Sequence, residues 1–338
     1  MYILGIETSC DDTSMVLMDM KTGLIIDNIT WNQNNIHTKY QGIVPALASL
    51  YHIINISEVW TLLESKYADL LNKISIIGVT NGPGLTGSLL IGVNFAHGLA
   101  KKIQDKYKKE IPVILTDHIE GHLLINLCHQ WIDFPFLGLI LSGGHTLLVY
   151  CKSLGHYEVF GTTLDDAIGE CLDKCGRFLN LPYPGGIFIE QEALKGSIMV
   201  PLPIPMSQNS SNNFSFSGLK TAVFHIKDDF SASDISYTIQ NVIAKSLEKV
   251  IKKAMIHYET NTIIVGGGVI NNKFFRQYFQ DNIKGQWYFP GPGLSTDSGA
   301  IPASVVYVYN KLNLLDILKK DNTFIYNNLK NNPRFHWV

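Results

Sequence analysis

The chain has 338 residues, 46% of them hydrophobic, with a formal net charge of −2, enough for a large core and more than one average domain. The near-neutral balance excludes a self-sufficient nucleic-acid binder, though not nucleic acid held in a local groove or with a partner's help. No unbroken apolar run reaches the ~18 residues of a membrane span and no basic leader precedes Glu7, while five cysteines without a CxxC pair fit a reducing compartment, so a cytoplasmic protein without membrane contact is expected.

Tyr2 to Ile6 reads as a strand, Thr8 to Thr13 as a turn of small and acidic residues, and Met15 to Met18 as a second strand. Pro45 to Leu71 is amphipathic and reads as a helix, and Ile76 to Val79 as a buried strand. Gly82-Pro83-Gly84-Leu85-Thr86-Gly87 is a glycine-rich turn opening the helix Ser88 to Lys108. It resembles a phosphate cradle but lacks the GK[ST] ending of a P-loop, and tight helix–strand packing is the alternative. Val113 to Leu115 is a strand leading straight into Asp117-His118-Ile119-Glu120-Gly121-His122.

His118 and His122 share one helical face and can chelate one transition metal ion. Glu120 falls nearly opposite them. In zincin proteases the glutamate directly follows the first histidine, where it can act as base on the metal-bound water. Here the spacing favours an ion that holds a ligand over one that hydrolyses a peptide. The alternative is two surface histidines and no metal.

Phe136 to Leu141 and Leu147 to Cys151 repeat the strand–turn–strand design, with Ser142 to Thr146 at the tip. Tips built from Gly, Ser and Thr offer backbone N–H groups to an anion, and two of them could grip a phosphate chain. Thr163 to Lys174 packs four acids into a segment read as helical, with Asp166, Glu170 and Asp173 on one face. Cys171 and Cys175 read as packing residues. Tyr183-Pro184-Gly185-Gly186 is a turn. Ile235 to His257 is a long helix, and Thr262 to Val265 a strand. Gly266 to Val269 turns into the helix Lys273 to Phe279, with Asn272 a cap or a ribose or phosphate contact. Trp287 to Phe289 is a strand, and Ser298 to Asn310 the final helix. Asp297 either caps that helix or supplies a third, anionic ligand to the histidine pair, a set that suits iron(II) or zinc. Strands alternating with such helices imply mainly parallel sheets covered on both faces.

Six segments occur in one order: Glu7-Thr8-Ser9-Cys10-Asp11-Asp12-Thr13, His118-Ile119-Glu120-Gly121-His122, Leu141-Ser142-Gly143-Gly144-His145-Thr146, Tyr183-Pro184-Gly185-Gly186, Phe214-Ser215-Phe216-Ser217-Gly218-Leu219-Lys220-Thr221 and Thr296-Asp297-Ser298-Gly299. Together they closely resemble the TsaD family, the tRNA N6-adenosine threonylcarbamoyltransferases once described as glycoproteases. The match runs from Tyr2 to the Pro333-Arg334-Phe335 tail, and the first and fifth segments are similar to the bacterial branch.

The resemblance implies an α/β, actin-like and Hsp70-like (ASKHA) fold with two lobes built from duplicated RNase H-like halves. The expected division is 1–117 plus 300–338, and 118–299. The implied activity is acyl transfer, carrying threonylcarbamoyl from threonylcarbamoyl-AMP to N6 of adenosine 37 in tRNAs reading ANN codons. His118, His122 and Asp297 are the implied ligands of one divalent ion, iron(II) first and zinc second. Leu141, Ser142, Gly143, Gly144, His145, Asp173, Gly186, Glu190 and Asn272 are the implied substrate contacts. Asp11, with Asp12 second, is the carboxylate expected to take the proton from the adenine amine. The implied partners are tRNA, a same-fold TsaB-like paralogue and a small TsaE-like ATPase. The sequence departs from the family at Asp12, where Glu is usual, at Glu190, where Asp is frequent, and at Ile270 and Pro302. Lys101, Lys102, Lys106, Lys108 and Lys109 read first as a solvated helix face and second as a partial tRNA contact. The rivals are a metalloprotease, a small-molecule kinase of the same fold and a noncatalytic scaffold.

Overall fold

The computed structural model describes residues 1–207, 210–320 and 335–337; Pro333 and Arg334 of the tail lie outside the described residues. Two compact units form. The first takes Met1–Ile132 and the segment beginning at Pro290; the second takes Asp133–Phe289 and the strand from Phe335.

In the first unit, β1 (Tyr2–Glu7), β2 (Asp12–Asp19) and β3 (Ile25–Asn32) form an antiparallel meander. The short α1 (Asn34–His37) precedes α2 (Pro45–Lys66), and α3 (Leu70–Lys73) leads into β4 (Ile74–Gly82). The chain continues through α4 (Thr86–Tyr107), β5 (Val113–Asp117) and α5 (His118–His129). The sheet order is β3-β2-β1-β4-β5, with β1, β4 and β5 parallel. β1 and β4 are buried almost throughout, because helices cover both of their faces.

The second unit repeats the plan. It opens with the antiparallel β6 (Phe136–Leu141), β7 (Thr146–Ser153) and β8 (His156–Thr162). α6 (Ile168–Phe178), α7 (Gly185–Ala193), α8 (Ser217–Ile226) and α9 (Ala232–His257) follow, then β9 (Thr262–Gly266), α10 (Lys273–Asn282) and β10 (Gln286–Tyr288). Returning to the first unit, the chain forms α11 (Ala300–Lys311) and α12 (Leu315–Lys320), and β11 (Phe335–Trp337) pairs with β8. The second sheet runs β10-β9-β6-β7-β8-β11, so β8-β7-β6-β9-β10 reproduces the order of the first. That repetition supports the duplication seen in the hairpin sequences. Both sheets are mixed, not mainly parallel, because each half begins with a meander.

The boundary between units differs from the sequence division at 117/118 and 299/300. α5 packs against α11, and α11 packs on β1, β2 and β4, so the histidine helix and the Asp297 loop belong to the first unit. Among the described residues one helix, α2, is long and apolar enough to cross a membrane by length and composition alone. Its Ala48, His52, Ile56, Val59, Trp60 and Leu63 are buried, and it packs on β2, β3 and α4.

Candidate functional site

β5 passes into α5 without a loop. Asp117 ends the strand, and its side chain accepts a hydrogen bond from the Glu120 N–H at 2.6 Å, capping the helix. One helical turn separates His118 from His122, whose rings lie 4.6 Å apart at 84°. Two glycine contacts bring the third donor in. A Cβ on Gly121 would collide with Ile301 of α11, and a Cβ on Gly5 of β1 would strike the Gly299 carbonyl. α11 can therefore start directly over β1, which sets Asp297 against the histidines. Asp297 Oδ1 lies 3.2 Å from His122 Nε2 and 3.5 Å from His118 Nε2. All three residues offer donor atoms within 4.8 Å of one another, as the shell of a single ion requires. Asp297 does not cap α11, where Gly299 holds the N-cap position.

Glu7 completes this arrangement, and the sequence reading gave it no role. It is fully buried at the end of β1 and accepts from Thr80 Oγ1 at 2.5 Å and the Ser9 N–H at 2.6 Å. His118 Nδ1 lies 3.3 Å from Glu7 Oε2. A carboxylate behind a histidine fixes the proton on Nδ1 and leaves Nε2 to bind a metal. Burial alone would raise the Glu7 carboxyl, but the charge of His118 outweighs it and lowers it. Burial likewise disfavours charge on His118, yet Asp297 and Glu7 together hold it at about 9. Burial pushes His122 down, to the neutral form a metal ligand needs.

Glu120 stands apart from this set. The Tyr309 hydroxyl of α11 donates to its Oε1 at 2.8 Å, so it faces the α11 packing and not the histidine pair. Asp11 and Asp12 form the half-buried tip between β1 and β2. Burial, and then the charge of Asp297, raises the Asp11 carboxyl. Burial and Asp11 raise Asp12 to about 8, against an opposing hydrogen bond from Asn32. Four carboxylates (Glu7, Asp11, Asp12 and Asp297) and two imidazoles thus share one corner of the first unit. The glycine-rich turn after β4 supports that corner by packing. A Cβ on Gly84 would meet Ser9, and in the following α4 one on Gly92 would meet Thr8.

The expected substrate contacts all lie in the second unit. The Leu141–His145 loop is tied by Ser142 Oγ, which accepts from the His145 N–H at 3.0 Å. Gly143 and Gly144 are exposed, and a Cβ on either would meet nothing within 4 Å, so packing does not explain them. Gly169 of α6 packs on Ser142 and Gly143, and Gly267, at φ +93°, packs on Leu141. Gly185, beside Gly186, packs on Leu172 and Asp173. These close approaches gather Leu141 to His145, Asp173 and Gly186 around α6. Asn272 caps α10, accepting from the Phe274 and Phe275 N–H groups, and donates to Gln240. Glu190 accepts from the Lys273 N–H at 2.7 Å, so both residues fix the start of α10.

The acidic segment departs from the helical reading, since α6 begins only at Ile168. Asp166 precedes it and pairs with Lys174 at 2.8 Å and Lys220 at 2.9 Å. Asp165 accepts from Ser215, Phe216 and Ser217, tying the start of α8. Cys171 and Cys175 are buried packing residues, their sulfurs 4.0 Å apart. In the lysine cluster, Lys101 pairs with Asp105, Lys102 with Glu64, and Lys109 donates to the Asn72 and Ile74 carbonyls. These local partners favour the solvated-face reading.

Residues 24–304 match the family model described as TsaD: tRNA N6-adenosine threonylcarbamoyltransferase. A protein of that name from Borreliella burgdorferi is 39% identical over 317 residues, covering 90% of this chain and 88% of the relative. Another from Bacillus subtilis is 40% identical over 284 residues, covering 82% and 80%. Among solved structures, HypF from T. kodakarensis superimposes with a TM-score of 0.62 at 13% identity over 95% of this chain and 49% of that one. The activator of 2-hydroxyisocaproyl-CoA dehydratase from Clostridium difficile gives 0.56 at 13% identity, covering 94% and 98%. At that identity the likeness concerns the fold alone, and it is the expected actin-like one.

Proposed function

The chain belongs to the TsaD family of tRNA N6-adenosine threonylcarbamoyltransferases, and on that premise we propose that it moves threonylcarbamoyl from threonylcarbamoyl-AMP to N6 of adenosine 37 in tRNAs reading ANN codons. One observation carries the reading beyond family membership: His118, His122 and Asp297 converge as metal donors in the corner that also holds Asp11. The donor set fits one divalent ion, iron(II) first and zinc second, and Glu7 behind His118 fits a ligand histidine. When bound, that ion supplies positive charge for the phosphate of the adenylate.

The adenylate is a mixed anhydride, and the reaction exchanges one bond at its carbonyl carbon. N6 of the adenine bonds to that carbon, the bond to the phosphate oxygen breaks, and AMP leaves with the electron pair. Asp11 takes the N6 proton as the new bond forms, because the amine is a poor base and its proton must go during the step. A carboxyl raised by burial and by Asp297 is a stronger base than a free one. Within the second unit, the exposed Gly143-Gly144 tip presents backbone N–H groups suited to an anion, with Asp173 and Gly186 beside the same loop. The target adenine must be unstacked, as single-stranded RNA recognition generally demands.

The near-neutral charge and the internally paired lysine cluster support a need for help with tRNA, here from a TsaB-like paralogue and a TsaE-like ATPase. All five cysteines are free, in keeping with a cytoplasmic enzyme. The placement of Glu120 against Tyr309 disfavours a zincin-type protease. Mass spectrometry of tRNA nucleosides from cells depleted of this protein tests the proposal. Loss of the threonylcarbamoyl nucleoside is expected, and unchanged levels would overturn it.

A further inference from the structure

His52 is a fully buried histidine on α2, with no part in the metal set. A buried imidazole is costly unless both nitrogens are satisfied. Both are satisfied here, by the two residues that flank the acidic pair. Nδ1 lies 2.8 Å from the Thr13 hydroxyl, and Nε2 lies 3.0 Å from the Cys10 carbonyl oxygen. A carbonyl can only accept, so Nε2 carries the proton and Nδ1 accepts from Thr13. One rigid ring thus spans the Asp11-Asp12 dipeptide from end to end.

The other supports of this turn converge on the same helix. The Gln33 N–H donates to the Asp11 carbonyl at 3.2 Å, and Gln33 Nε2 donates to the Ala48 carbonyl of α2 at 3.3 Å. His37 Nε2 donates to Gln33 Oε1 at 3.1 Å, while its Nδ1 accepts from the Val44 N–H at 3.3 Å. Such fastening has a physical motive. Two adjacent carboxylates near Asp297 repel one another, and a free turn would relax by swinging one of them into solvent.

We propose that His52 is a positioning residue that clamps both ends of Asp11-Asp12 to α2 and thereby fixes the carboxylate that takes the N6 proton. This rests on the reading of Asp11 as the base. The clamp acts through geometry, since misplacing a reacting group by about 1 Å can cost roughly 10²-fold in rate.

The test compares His52→Leu, His52→Gln, Thr13→Val and Asp11→Asn, together with the Asp11→Asn/His52→Leu double variant. Each is measured as the full chain with its partners, for metal content, threonylcarbamoyl-AMP affinity and single-turnover transfer to tRNA. His52→Leu should lose roughly 10²-fold in transfer, with metal content and adenylate affinity within about two-fold of the parent. His52→Gln should recover much of that loss, because an amide presents an acceptor and a donor at similar spacing. Thr13→Val, which preserves packing, should show a partial loss and keeps the test open if His52→Leu does not fold. The double variant should be no slower than Asp11→Asn alone. Transfer that falls only in step with metal or folded protein, or losses that multiply in the double variant, would overturn the clamp. Slow Asp11→Asn with fast His52→Leu sinks the clamp and keeps the base. Wild-type transfer by Asp11→Asn sinks the base reading itself.

Discussion

Asp11 carries the sharpest residue-scale expectation, because its neighbours set it against its own charge. Burial and Asp297 raise its carboxyl, and a bound cation at the His118–Asp297 corner would draw it back down. Asp11→Asn is close in shape and caps turns well, so it removes the basic oxygen with little else. Adenylate binding should stay within a few-fold. Transfer should fall by roughly 10²–10⁴-fold, the range for losing a positioned acid or base. Single-turnover transfer from preformed adenylate checks this, and a near-parent rate would rule out the assignment. The histidines make a separate prediction. Replacing His118 and His122 by Ala should abolish metal retention and transfer while leaving most of the fold intact, since Ile119, Leu123 and Leu124 still bury the rest of α5. Metal analysis of the purified double variant decides it, and unchanged stoichiometry would refute the site.

Glycine packing places the site's elements. β1 and α11 approach so closely at Gly5 and Gly299 that neither tolerates a Cβ. Gly5→Ala should therefore push α11 and the Asp297 loop away from the histidines. We expect a loss of about 1–3 kcal/mol from overpacking, with metal affinity falling further than the stability change explains. Urea titration beside metal titration measures both, and parent-like metal affinity would show that Asp297 is placed by something else. Much of this was readable beforehand. The hairpins at Tyr2 and Phe136, the strand running into His118 and the His118/His122 pair follow from local pattern, whereas Asp297 joined that pair only through the family resemblance, its local pattern fitting a helix cap as well. β3 and β8 escaped notice for a physical reason. β3 is the edge of its sheet and largely exposed, so its polar-rich sequence lacks a buried stripe, and β8 begins with the polar His156 after a turn. Glu7 escaped because an acid ending a buried strand looks like a strand terminator; only the fold shows Thr80, Ser9 and His118 converging on it. The grouping of α5 with α11 was not legible because their contact joins segments far apart in sequence.

For the whole molecule, both halves inherit one strand order, yet their hairpin tips have diverged in charge. The first tip carries Asp11 and Asp12 in the corner of His118, His122 and Asp297, and the second carries the open Gly143-Gly144. Concentrating acids in one unit makes the stability of the chelator-treated protein depend on pH in a defined direction. His118 is raised from an ordinary 6.5 to about 9, so its contribution is fully present below about 6.5 and is lost as pH climbs through 9. Asp12 is raised from 3.8 to about 8, so the folded state favours its neutral form and loses stability as pH rises between those values. Glu7 is lowered and contributes stability above its unfolded value of about 4.5; it is lost only as pH falls into the acid range, so it leaves the 6.5–9 window flat. His118 and Asp12 therefore act together, with Asp11, also raised, acting in the same direction, and metal-free protein should lose on the order of a few kcal/mol between pH 6.5 and 9. A bound ion replaces the His118 proton and offsets the carboxylate charge, so the metal-loaded protein should show a much shallower slope. Urea midpoints of both forms across this range test the account. A metal-free form that is equally stable or more stable at pH 9 would mean that this corner does not govern the stability of the molecule.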